Sequence, residues 1–426
     1  MAPSGSGKRP FFYGWWIVLS CFMLLFLFAG AGFYSFSIFI KPLEADFGWS
    51  RSQISLAMTI YMVVSGLMAP LVGLMTEKYG PRRIMSLFAV GFGAIFILVS
   101  LTEVLWYFYL AYALLAFMSA GVSFVPVSTV LARWFVKRRG TALGIAMLGI
   151  SMGGLIMAPL IETLNTTYSW RTAFVFMGIL VWVIGLPMTL FVIKGHPRDV
   201  GMLPDNGLPL EIPAGGGKTA ARPDVEIGET GWPLRSALRS RTFWSVVATF
   251  ILAPAAQMGV LQHQVPLITN IGVSGTAAAA ALGFTAGLGG IGKLSFGRIS
   301  ELIPLHYTAL LCFGLQALGV LVIYHASSSM HVWVYVLIFG FAMGGNIVLL
   351  PIVVGQYFGL VSFGVIMGIV TFFQALGSGS GAIISGLVYD ATGNYQQALI
   401  LYMGLYLLAI VTIFMAGRPK AYLPVL

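Results

Sequence analysis

Between Gly14 and Gly417 the sequence is a succession of apolar stretches divided by short polar breaks. Hydrocarbon offers no partner to a backbone N–H or C=O, so a crossing segment must pair them internally, and a helix of about 20 apolar residues does so. The stretches predict helices over 14–40, 52–76, 83–102, 105–132, 140–164 and 171–194, then over 242–269, 275–302, 306–325, 331–356, 363–387 and 396–417. The expected fold class is an all-α membrane protein of about twelve transmembrane helices. Composition agrees, with 58% of residues hydrophobic and 8% charged, against roughly 25% charged in a soluble domain.

The first apolar stretch is too long for a cleavable signal segment and lacks a convincing small-residue cleavage site, so it is read as a retained helix. The one long polar segment, 195–240, holds Pro197, Pro204, Pro209, Pro213 and Pro223 and the glycine run 215–217. Such a composition buries no core and reads as a linker. Its end, Trp232 to Arg241, puts Leu234, Ala237 and Leu238 on one side and suits a short interfacial helix. The chain therefore divides into a six-helix half at 1–194, a linker at 195–240 and a second six-helix half at 241–426.

The net charge of +10 does not read as a nucleic-acid surface, because the basic residues do not gather on one soluble face. With both termini on one side, that side receives nineteen of the 23 Lys and Arg, among them Lys8, Arg9, Lys218, Arg222, Arg418 and Lys420. The other side receives Lys41, Arg51 and Arg171, and Lys293 stays inside a helix. By the positive-inside rule the termini and the linker are expected in the cytoplasm of a cell whose inner or plasma membrane holds the chain.

A constant offset of 224 residues relates Pro42 to Pro266, Gly48 to Gly272, Ser50 to Ser274, Gly66 to Gly290, Gly73 to Gly297, Glu77 to Glu301, Gly121 to Gly345, Gly140 to Gly364 and Gly144 to Gly368. A proline, a serine and a glutamate held in one register mark an internal repeat, and repeated membrane halves place a binding site at their interface.

After the second predicted helix the chain reads Gly73-Leu-Met-Thr-Glu77-Lys78-Tyr-Gly80-Pro-Arg82-Arg83. This resembles the loop between helices two and three of the major facilitator superfamily, whose acid caps a helix end or pairs with an arginine across the cytoplasmic gate. The second-half echo, Gly297-Arg-Ile-Ser-Glu301, keeps the acid and lacks the basic pair. Trp134-Phe135-Val-Lys137-Arg138-Arg139-Gly140-Thr-Ala142-Leu-Gly144 is similar to the loop before the fifth helix of the monocarboxylate porters and the related oxalate/formate antiporters. The resemblance implies a two-half transporter working by alternating access.

Lys293, in Gly287-Leu-Gly-Gly-Ile-Gly292-Lys293-Leu-Ser295-Phe296-Gly297, is the one charge set inside a predicted helix. An ionisable group there marks a substrate or ion pathway, unless it snorkels to the headgroups along its own stem. Lys293 matches the place of the arginine that binds the substrate carboxylate in the resembled family. Where monocarboxylate porters tend to carry an aspartate this chain has Gly289, and where oxalate antiporters carry a helix-eleven lysine it has Gln374. One buried cation suits one carboxylate better than two. The resemblance also points to Tyr34 and Phe124, Tyr61 lies at comparable depth, and Asn346 and Gln374 are neutral hydrogen-bond partners for the second carboxylate oxygen or a hydroxyl. His263, near Pro254 in a helix expected to kink, is a second candidate proton carrier beside Lys293.

No phosphate-binding loop, catalytic carboxylate pair or His/Cys ligand cluster appears, and Cys21 and Cys312 both lie in apolar stretches. The expectation is a monomeric carrier, not an enzyme, with no cofactor or metal and no nucleic-acid partner. Its cargo is a small anionic carboxylate, lactate- or pyruvate-like, moved with a proton. The alternatives are an anion exchanger of oxalate/formate type, an exporter of drugs or other solutes, and a channel or sensor on the same fold.

Overall fold

The structure, a computed structural model, describes residues 12–32, 34–207 and 231–417. Lys8, Arg9, Phe33, Pro209, Pro213, the glycine run 215–217, Lys218, Arg222, Pro223, Arg418 and Lys420 lie outside the described residues. The helices are α1 (Gly14–Gly32), α2 (Ile40–Phe47), α3 (Arg51–Tyr79), α4 (Pro81–Val99), α5 (Leu105–Ala120), α6 (Phe124–Trp134), α7 (Arg139–Thr167) and α8 (Trp170–Leu180). After the linker come α9 (Leu234–Leu238), α10 (Arg241–Gln262), α11 (Gln264–Asn270), α12 (Gly275–Leu302), α13 (Leu305–Tyr324), α14 (Ser329–Phe358), α15 (Phe363–Thr392) and α16 (Gln396–Met415).

Among the described residues eleven helical segments are long and apolar enough to cross a membrane, and α12, 28 residues long, runs beside them against α14 and α7. With α5 and α6 counted together they make the expected twelve spans. Leu87, Phe191 and Leu407 are exposed, as a lipid-solvated surface requires.

Several boundaries differ from the sequence expectation. The first span leaves the α form after Gly32 for a 3-10 turn at Tyr34–Phe39, and the fourth is interrupted at Gly121–Ser123 between α5 and α6. The sixth continues α8 through π turns at Val181–Gly185 and Met188–Val192. In the seventh, Pro254 sits inside a continuous α10, and the break falls at His263 instead. The interfacial helix shrinks to the five residues of α9.

The repeated residues do the same physical work in both halves. Gly48 and Gly272 hold left-handed turns at φ 68 and 88°, a conformation in which a side chain is strained. Two residues later Ser50 and Ser274 cap α3 and α12, accepting from Gln53 N and Ala277 N. At the far ends of these helices the halves meet. Gly73 lies so close to Gly364, and Gly140 to Gly297, that a Cβ on any of them would crowd the opposing backbone. Glu77 Oε1 accepts from Val365 N at 3.0 Å, and Glu301 Oε1 accepts from Thr141 N at 2.5 Å. Both contacts obey the 224 offset, as do Gly144 against Lys293–Leu294 and Gly368 against Ala69–Pro70.

Moving along α12 away from these ends, Gly290 still faces Leu148 and Ser151, whereas a Cβ on Gly287 or Gly283 would meet nothing within 4 Å. The halves are therefore closed on the linker side and splay apart towards the other. The linker's described ends rest on the closed side. Asp205 Oδ2 accepts from Val136 N and Lys137 N at 2.8 and 2.6 Å, and Trp232 N donates to Phe358 O at 2.8 Å.

Glu301→Gln removes the charge from the α7 cap, a contribution of about 1 kcal/mol. The expected result is a roughly fivefold shift towards a state open on the linker side. Spin labels at exposed Val136 and Leu302 would report it as a new long-distance population; an unchanged distance distribution counts against the role of this cap.

Candidate functional site

Lys293 lies where the closed contact between α7 and α12 gives way to open space. It is 7% exposed, and its Nζ donates to Ser151 Oγ at 2.6 Å across the two halves. Among the described residues no carboxylate pairs with it. It does not snorkel: its head is turned into the bundle against a helix of the other half. A buried ammonium with one neutral partner is under-compensated, because its attraction to a hydroxyl dipole is weaker than to an opposite charge. Such a site favours an incoming anion.

The glycines around Lys293 are set by packing. A Cβ on Gly292 would strike Phe341 O, and one on Gly344 would meet Lys293 N at 2.7 Å. Gly289, the position of the family's aspartate, faces Met343 at 3.1 Å. A side chain there would have to displace the end of the Met343 side chain on α14. The described acids all stand near helix ends or in loops, with Glu77 and Glu301 occupied as caps.

The other candidate residues are only partly gathered. Tyr34, half-exposed in the 3-10 turn, lays its ring against Gly154, 2.8 Å from a Cβ built there, one turn along α7 from Ser151. Asn346, buried in α14, donates from Nδ2 to Gln257 Oε1 at 2.7 Å, while its Oδ1 finds no partner among the described residues. Tyr61 turns instead into the first half's core, 3% exposed, and donates to Ser119 Oγ at 2.9 Å. Gln374 and Phe124 are half-buried, on α15 and at the start of α6. His263 lies at the end of α10 remote from the linker, its Nδ1 3.2 Å from Tyr395 Oη. Lys293 lies 18 residues into α12 from that same side, so the two candidate proton carriers do not form one group.

On the linker side Lys78 covers the Tyr79 ring at 5.1 Å, and Arg82 donates to Leu190 O at 2.5 Å. Gly80 makes the turn from α3 to α4 at φ 83°. Arg82 and Arg83 help line a cavity of about 330 Å³ with Lys194 and His196. Arg138 precedes α7 and is exposed. Arg139 folds back on Phe135 O and Ala132 O at 3.1 and 2.9 Å and reaches Gly355 of α14, so it braces the loop before α7.

Sequence reasoning missed Ser151. The signal was present, since Gly140, Gly144, Leu148 and Ser151 follow at helical spacing and share the α7 face that meets α12.

Comparison with known proteins follows the same lines. Monocarboxylate transporter 13 of Bos taurus is 25% identical over 402 residues, spanning 93% of this chain and 87% of its own length. Monocarboxylate transporter 12 of Mus musculus is 23% identical over 409 residues, 91% of this chain and 82% of its own. Among solved structures, the transporter FucP in its outward conformation superposes with a TM-score of 0.71 at 13% identity, covering 94% of this chain and 98% of that one. The profile described as Major Facilitator Superfamily matches residues 22–382, from the first span into the eleventh. On that match, carried by the helices that form both halves and the contact between them, the chain belongs to the Major Facilitator Superfamily.

Proposed function

We propose that this transporter carries a small organic monocarboxylate, of lactate or pyruvate type, together with a proton, by alternating access. One observation carries the reading: Lys293 is a buried cation, held by a neutral hydroxyl, at the place where the two halves part. The names of the relatives support the same cargo class. A monocarboxylate supplies the single opposite charge that the site lacks, and a dicarboxylate would bring a second charge with no second cation to meet it.

Lys293 also serves the proton. A lysine withdrawn from water can release its proton and regain it when an anion arrives, whereas an arginine stays charged. No buried acid is needed. The halves 1–194 and 241–426 rock about the site as a monomer, with the linker 195–240 and both termini in the cytoplasm of a cell whose plasma or inner membrane holds the chain. Asn346, Gln374, Tyr34, Tyr61 and Phe124 are proposed to complete the pocket as the halves move, and His263 is not required for coupling.

Replacing the cation removes the anion's counter-charge. Lys293→Gln is expected to weaken pyruvate binding about 100-fold or more, read by calorimetry on the purified protein; near-normal affinity would reject the anion site. In proteoliposomes at clamped membrane potential, an inward proton gradient should stimulate pyruvate uptake by the wild type and by His263→Ala. Lys293→Arg should bind pyruvate yet lose the stimulation. Wild-type uptake indifferent to the gradient would instead indicate anion exchange. Sidedness is open to direct measurement: a cysteine placed in 195–240 should react with an impermeant maleimide only after cells are opened, and labelling of intact cells would reverse the assignment.

A further inference from the structure

We infer that Ser151 is the second ligand of the substrate carboxylate, given by the half opposite Lys293, so that the bound anion bridges α7 and α12. The inference rests on the carboxylate reading above and adds to it a residue and a geometry.

The internal repeat supplies a control. The crossing of α3 with α15 is the 224-residue counterpart of the crossing of α12 with α7: Ala69 takes the place of Lys293 and Ala375 the place of Ser151. Both crossings pack alike. A Cβ on Gly66 would stand 3.6 Å from Ala375 Cβ, and one on Gly290 would stand 3.6 Å from Ser151 Cβ. Two alanines therefore suffice to build this contact. The polar pair on one side answers to something other than packing, since a buried cation costs stability that an alanine does not.

The hydroxyl is also free to donate. Serines and threonines inside these helices commonly turn the proton back to a carbonyl three or four residues earlier, as Ser119 does to Ala116 O, Thr129 to Val125 O and Thr163 to Pro159 O. Ser151 accepts from Lys293 and donates to no described residue. A carboxylate has two oxygens. One takes the ammonium, and the other takes the Ser151 proton, replacing the direct 2.6 Å bond without leaving either group unsatisfied. The carbon body then extends towards the open side, where the Tyr34 ring lies against Gly154.

The test is calorimetric titration of acetate, pyruvate and L-lactate, each singly, into wild type, Ser151→Ala, Ser151→Thr and Lys293→Gln. Ser151→Ala should weaken the preferred acid about tenfold, and Ser151→Thr, which keeps the hydroxyl, should hold it within about twofold. Thr rescue separates a ligand from a residue that only packs. If Ser151 merely occupies Lys293 in the empty protein, Ser151→Ala removes a competitor and binding is unchanged or tighter, which overturns the inference. In that outcome a loss in Lys293→Gln leaves the carboxylate reading standing. Failure of all three acids to bind wild type, or full binding by Lys293→Gln, overturns the carboxylate reading and this inference with it.

Discussion

Each half of this protein closes on the other by offering a carboxylate to the bare N-terminal amides of a helix. Glu301, at the end of α12, accepts from Thr141 N and Thr141 Oγ1; Glu77, at the end of α3, accepts from Val365 N at the start of α15. A helix start carries unpaired N–H groups and a partial positive charge, so an acid is the residue that meets both. Glycines at 73, 140, 297 and 364 let the backbones come close enough for the caps to form. These polar caps sit at the end of the crossings where the backbones lie closest, beside apolar packing that runs on through both halves.

This constraint places Lys293. The crossing of α12 with α7 begins at Gly297 and Gly140, continues through Lys293 and Gly144, and ends near Gly290 and Ser151. The Lys293 side chain therefore reaches Ser151 near the end of this crossing, with α14 close on one side through Gly344 and α7 on the other. Its charge lies within the contact between the two halves. Under the proposed carboxylate reading, an anion that neutralises it alters the balance between closed and open contacts, as coupling of binding to movement requires.

The linker meets the same contact. Asp205 holds the amides of Val136 and Lys137 in the loop before α7, and Trp232 N donates to Phe358 O at the end of α14, where the loop to α15 begins. These two loops are 224-residue counterparts and lead into the helix starts that Glu301 and Glu77 cap. The described ends of the linker thus rest beside the two helix starts that close this side.

The twelve spans, the internal repeat, the acids of the closing contact and the lone helix-interior charge at Lys293 were legible in the sequence, because hydropathy, register and an isolated charge are local properties. Left-handed glycines and serine caps at matching positions announced the repeat for the same reason. The partners were not legible. That Lys293 meets Ser151, that Tyr61 turns into the first half's core while Tyr34 lies on Gly154, and that His263 stands apart at the end of α10 depend on helix rotation and on how far the halves close. The break at His263 instead of at Pro254 likewise depends on neighbours, since α10, packed against α15 and α16, runs unbroken through its proline. Sequence determined which residues sit at each depth in the membrane; tertiary structure decided which of them face each other, because a helix carries its side chains all the way round and only packing selects the face that meets the other half.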